Sequence, residues 1–230
     1  MMKKSFLIFV ILVLTFSLCA SNCSAIENDI FELNIPENFS SYTENTAGEA
    51  TVMQWTDLQD NSNVSVTILK NDGVSYVNLS DDEISELQTN VVEQMENDVS
   101  KTLKEYSISY VIKDSTCNVV TINNGISGVE ILFDSEYLYE DGSILQAKNY
   151  MYMFSSKENI ITISATVNDE DKDSLVKEMM SSFVFKEEIY IGSDEFNLDW
   201  YSVVKSAVVG GCIGGIAALI GILIKKKKSK

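Results

Sequence analysis

The sequence predicts an α+β fold: an antiparallel β-sheet of about six to seven strands flanked by two helices, with a C-terminal transmembrane helix beyond it. Three observations carry this expectation. Several short segments alternate apolar and polar residues with period two and are separated by turn-forming residues. Two others carry apolar residues at helical spacing, the first opened by a capping box. Near the end of the 230 residues, a long uncharged stretch runs into a block of lysines.

Taken in order, residues 1–25 read as a signal peptide. Lys3 and Lys4 precede an apolar core from Phe6 to Leu18, and small and polar residues lead to Ala25, after which cleavage is expected. Lipid attachment at Cys19 or Cys23 is disfavoured by Leu18 and Asn22, poor residues to precede a modified cysteine. The external domain is expected over 26–186. Its first strand is Phe31 to Ile35, and two more lie between Ala50 and Lys70, where "NVSVTI" alternates as a half-buried strand does.

The long helix follows. Ser80, Asp81, Asp82 and Glu83 form a capping box with acid in the first turn, which suits the helix dipole. Behind it Ile84, Leu87, Val91, Met95, Val99 and Leu103 make one apolar stripe, with Glu86, Glu93, Asn97 and Lys104 pointing away. A meander of four or five strands then runs from Tyr106 to Val167. Its turns are Asn123-Asn124-Gly125, Asp141-Gly142 and Lys157-Glu158-Asn159. "NYMYMF" is apolar on both faces and is expected to be central. A short helix starting near Asn168 buries Leu175, Met179 and Phe183, and "FVFK" is the last strand.

Residues 187–201 form an acidic stalk. Beyond it 202–224 is long enough to span: 23 residues make about 34 Å of helix at ~1.5 Å per residue, against a hydrocarbon core of roughly 30 Å. Trp200 and Tyr201 belong at one membrane interface, and Lys225, Lys226, Lys227 and Lys228, within the tail 225–230, mark the cytoplasmic one. Ala207, Gly211, Gly214, Ala218 and Gly221 recur at spacings of four and three, so one face of this helix is nearly bare and suits association with itself or with another membrane protein. The expected location is the cell membrane, single-pass, with most of the chain outside. Even an uncleaved signal leaves that topology unchanged.

Charge and composition narrow the chemistry. All 34 acids lie between Glu27 and Asp199, a span that holds only nine of the 17 lysines. Such a body repels nucleic acid. Neither histidine nor arginine occurs, which removes Ser-His-Asp and Cys-His catalysis, histidine zinc sites and arginine phosphate clamps. No cofactor is expected. Cys117 is the one cysteine of the external part and reads as a small half-buried residue at a strand start, with an intermolecular bridge as the alternative.

Two acidic clusters come up as metal candidates. In "NDEDKDS", Asp169, Asp171 and Asp173 alternate, yet the sixth and twelfth positions of a calcium loop are Ser174 and Met180, so helix-dipole stabilisation is the better reading. Asp134, Glu136, Glu140 and Asp141 form a second cluster at a hairpin tip, read as a solvated tip ahead of a cation site. Asn38, Asn63 and Asn78 begin N-x-Ser triplets, weak glycosylation signals in a chain this rich in both residues.

"FELNIPENFSSY", the long helix after a hairpin, and "IITISATV…LVKEMMSSFVF" together resemble the PsbP-like family, the sandwich shared by the PsbP extrinsic protein of photosystem II and envelope lipoproteins of the DcrB and LpqN kind. The resemblance covers roughly Ile30 to Lys186. It implies a largely non-catalytic protein built for docking and for supporting membrane complexes, and it brings no site residues. The transmembrane tail departs from the lipid-anchored members. The expected function is thus a non-catalytic, membrane-anchored binding or assembly module of a prokaryotic envelope. The alternatives are a cation-dependent surface adhesin or receptor and, further off, an envelope hydrolase without histidine.

Overall fold

The apolar residues of the central strands face two ways, and the architecture follows from that. In a computed structural model, residues 25–47, 50–122, 125–168 and 172–191 are described. A seven-stranded antiparallel sheet comprises β3 (Ser41–Ala47), β4 (Ala50–Thr56), β5 (Asn63–Lys70), β6 (Ser109–Ile122), β7 (Ile126–Leu138), β8 (Ile144–Ser155) and β9 (Asn159–Val167). Its order is β3-β4-β5-β9-β8-β7-β6. The signal and membrane segments, including Trp200, Tyr201, the glycine face and the lysine block, lie outside the described residues. Among the described residues no helix is long and apolar enough to cross a membrane.

Strand β8 shows the two-sidedness directly. Tyr150, Tyr152 and Phe154 enter one core, Met151 and Met153 the other. On the first face the sheet packs against Val176, Met179 and Met180 of helix α2 (Asp173–Ser181) and against a small sheet, ordered β1-β2-β10, of Ile26–Glu27, Phe31–Leu33 and Val184–Phe185. On the second face lies helix α1 (Asp81–Leu103), burying Leu87, Val91, Met95, Val99 and Leu103 as its periodicity predicts. Ile84, at the rim, is half-buried. Both halves of the capping box form: Ser80 Oγ accepts from the Glu83 N–H, and the Glu83 carboxylate accepts from the Ser80 N–H at 2.7 Å.

Several expectations are corrected. The opening and closing strands pair with each other in the small sheet and not with the main one, which accounts for three strands beyond the expected six to seven. Edge strand β3 carries no apolar alternation because only Tyr42 packs inward, its ring 4.9 Å from that of Trp55. Strands β5 and β9 are not half-buried: Ser65, Thr67, Thr162 and Ser164 are as buried as Val64 and Ile163 on the opposite face. The second helix begins at Asp173 and not near Asn168. Asn168 is tied back to the loop after β4, its N–H donating to Ser62 Oγ and its side-chain amide to the Asp60 carbonyl. Lys172 is held at the same loop by Asp57 and Asp60 at 2.6 and 2.8 Å. Leu175 is only half-buried, Val176 takes its place in the core, and Phe183 is buried just beyond the helix. Cys117 lies in the middle of β6 rather than at its start.

Candidate functional site

Beside the first turn of α2, the first face of the sheet is uncovered, and it is floored by β6, β7 and β8. Alternation along β7 sends Ile131, Phe133 and Tyr137 into the α1 core, so Asp134 and Glu136 point to the opposite, open face. Gly142, at φ +80°, turns the chain back so that Lys148 lies opposite Asp134 and Gln146 opposite Glu136. On β6 the register shifts between Ile112 and Asp114, and the intervening Lys113 reaches Glu136 at 2.9 Å. These residues, with Asp173, line an open cleft of about 800 Å³.

Two ion pairs cross the cleft, Lys113 with Glu136 and Lys148 with Asp173. Lys148 donates to Asp173 at 2.7 Å, linking the sheet to the first turn of α2, where an acid is also favoured by the helix dipole. Gln146 donates to Glu136 at 3.2 Å. The hydrogen bond from Lys113, aided by that from Gln146, holds the Glu136 carboxyl below its ordinary range. For Asp173, burial pushes upward, but Lys148 and the Tyr150 hydroxyl beside it outweigh burial and leave the group lowered. Burial, then the neighbouring carboxylates led by Asp173, raise the Tyr150 phenol. Behind the cleft, Asn149 donates to Ser135 Oγ and accepts from Thr166, both at 2.9 Å, pinning β7, β8 and β9 together.

The hairpin acids named from the sequence are spread out rather than assembled. Asp134 and Glu136 lie in the cleft; Glu140 and Asp141 are both exposed in the turn. Asp141 accepts from the Ser143 N–H and hydroxyl. Among the described residues no group of three or more His, Cys, Asp or Glu side chains converges to hold a metal ion. Sequence reasoning passed over Lys113, Lys148 and Asp173 as parts of this surface, and Tyr150 as the buried ring beside Asp173. The sequence weighs Asp173 as a calcium-loop acid and prefers a helix-start acid, and 169–171 lie outside the described residues. Cys117 is half-buried, with its thiol pushed up to about 12 by burial and Glu130, so it stays protonated and unreactive. Asn63 is buried, which closes that triplet to glycosylation in the folded state.

No family model matches the chain, and no curated relative matches its sequence. Solved structures do resemble it. The solution structure of cyanobacterial PsbP from Synechocystis is similar at 15% identity and a TM-score of 0.45, over 72% of this chain and 91% of that one. A Bacteroides thetaiotaomicron protein is similar at 11% identity and a TM-score of 0.36, over 73% of this chain and 50% of that one. A Mycobacterium smegmatis protein is similar at 8% identity and a TM-score of 0.23, over 73% and 96% respectively. No residue role is transferred from any of them.

Proposed function

We propose that the chain is a non-catalytic binding or assembly module of a prokaryotic cell envelope, of the PsbP-like kind, anchored by a single membrane helix at 202–224 and displaying 26–186 outside the cell. The observation that supports recognition over catalysis is the state of the cleft. Two of its acids, Glu136 and Asp173, are paired with lysines and lowered, so they stay ionised at neutral pH. A general acid or base works best with a value near the operating pH, and these groups are held away from it. Fixed, paired charges on a rigid sheet suit the reading of a charged partner's surface instead.

A photo-crosslinking residue in place of Gln146, which lines the cleft, tests this in intact membranes of the producing cell. Discrete crosslinked partner bands are expected, and they should be lost when Asp134→Lys and Glu136→Lys are added. Crosslinking that ignores those charge reversals would remove the cleft from the interface. The topology is checked separately: a reporter active only outside the cell should work when fused after Tyr201 and fail after Lys230.

A further inference from the structure

Strand β6 closes one end of the seven-stranded sheet, and α1 guards only half of its outer edge. In the guarded half, Ser100 donates to the Tyr110 carbonyl, the Ile112 N–H donates to Glu96 at 2.6 Å, and Gln88 donates to the Ser115 carbonyl at 2.8 Å. The Ser115 N–H is taken by Asp114. Backbone groups alternate sides along a strand, so past Ser115 the outward N–H and C=O groups belong to Cys117, Val119 and Thr121. No described side chain caps these. Thr116, Asn118, Val119 and Thr121 are exposed, Val119 at 43%.

Edges of this kind are ordinarily blunted by charge, proline or a bulge. The register shift at Lys113 and the charges around it sit in the guarded half. From Ser115 to Val129 the sequence has neither a charge nor a proline. We propose that the Thr116–Ile122 half of β6 is a docking edge, to which a partner adds an extended segment of alternating basic and apolar side chains as an eighth strand.

The residues flanking the edge select that occupant. An added strand would place alternate side chains beside Cys117 and Val119 on the α1 face, which favours apolar ones. Its other side chains would fall beside Thr116 and Asn118, with Asp114 along the same strand and Glu130, opposite Asn118, one strand spacing of ~4.8 Å further in. Asp134, opposite Asp114, extends the acidic field. Lysine or arginine complements these acids. A second copy of this chain would bring the same acids to the edge and be repelled, and an edge this short would bury far less than the ~1,200 Å² of a stable interface. The proposal rests on reading the domain as a binding module and adds to it a second surface, a backbone edge next to the cleft that shares Asp134 with it.

The test uses the full chain in detergent micelles and a labelled eight-residue peptide alternating lysine with valine or threonine. Fluorescence anisotropy should show saturable binding that weakens with salt, and hydrogen exchange should slow at the Cys117, Val119 and Thr121 amides. Val119→Pro removes an outward N–H that the sheet does not use, so binding should fall at least tenfold with little change in melting temperature. Should that variant fail to fold, the same peptide N-methylated throughout serves instead, and it should lose binding to the same extent. Asp114→Asn with Glu130→Gln should weaken binding several-fold and flatten its salt dependence. Equal affinity of the N-methylated peptide would overturn the proposal. So would self-association through this edge in the absence of peptide. Binding that leaves the three amides unprotected but is lost in Glu136→Gln would place the peptide in the cleft, overturning the edge and sparing the binding-module reading.

Discussion

Replacing Lys172 with methionine should expose the cost of one buried charge arrangement. The Lys172 side chain is 10% exposed and that of Asp57 only 3%, with Asp60 at 26%. Lys172 also lies 5.7 Å from the centre of the Phe39 ring. Burial opposes its charge, but the bonds it donates to Asp57 and Asp60 win and raise its value. Removing the ammonium strands Asp57 as a buried, uncompensated carboxylate, which costs about 3–5 kcal/mol. For a chain of this size that corresponds to a melting temperature lower by roughly 10 °C. Adding Asp57→Asn keeps the oxygen that accepts from the Gln59 N–H and removes the stranded charge, so most of the loss should be recovered. The pH dependence has a defined sign. Burial raises Asp60, yet Lys172 and Ser62 leave it below its ordinary value, so its contribution is present above pH ~4 and lost as pH falls through the folded value. Lys172→Met has already lost the pairing that lowers Asp60, so the gap between wild type and variant should narrow as pH falls toward ~4. Circular dichroism melting at pH 7 and pH 4 reads all of this. A Lys172→Met protein that melts with the wild type at pH 7 would show that the cluster is hydrated in solution and that the burial argument is wrong.

Gly128→Ala should cost about 3 kcal/mol, because an added Cβ would lie 2.6 Å from the Met153 carbonyl and run into the Phe154 ring, neither of which can retreat inside the sheet. Denaturant unfolding measures it. Val91→Asp should unfold the external domain while Glu93→Ala, on the exposed face of α1, should be nearly silent by the same measurement. Gly211→Leu with Gly214→Leu should abolish self- or partner-association of the membrane segment in a membrane dimerisation assay and leave insertion intact.

The elements that the sequence made legible are those whose signal is local. Helix α1 could be read because its cap and its stripe both lie within its own residues, and β8 because "NYMYMF" shows two apolar faces without reference to anything else. Strand β3 could not be read, since "SYTENTA" forms a strand only through its pairing with β4 and buries little of its own. Serine and threonine on β5 and β9 mislead for a related reason. Their polarity predicts a wet face, but the hydroxyls are small enough to be enclosed once both flanking strands are in place. The cleft shows where more could have been extracted. Asp134 and Glu136 stand out as acids, whereas Lys148 and Gln146 become visible only when the strands are counted outward from the Asp141-Gly142 turn, which sets them directly opposite. That register was available from the sequence. Lys113 and Asp173 were not, because one depends on a bulge with no residue signature and the other on where a helix docks against the sheet. Lys172 is the extreme case: its partners lie 115 and 112 positions away, and nothing in "EDKDS" marks one lysine as buried. Charge pairs set by tertiary packing thus escape a reading of periodicity and turns, and in a chain this acidic the few lysines of the folded body are where such pairs have to be sought.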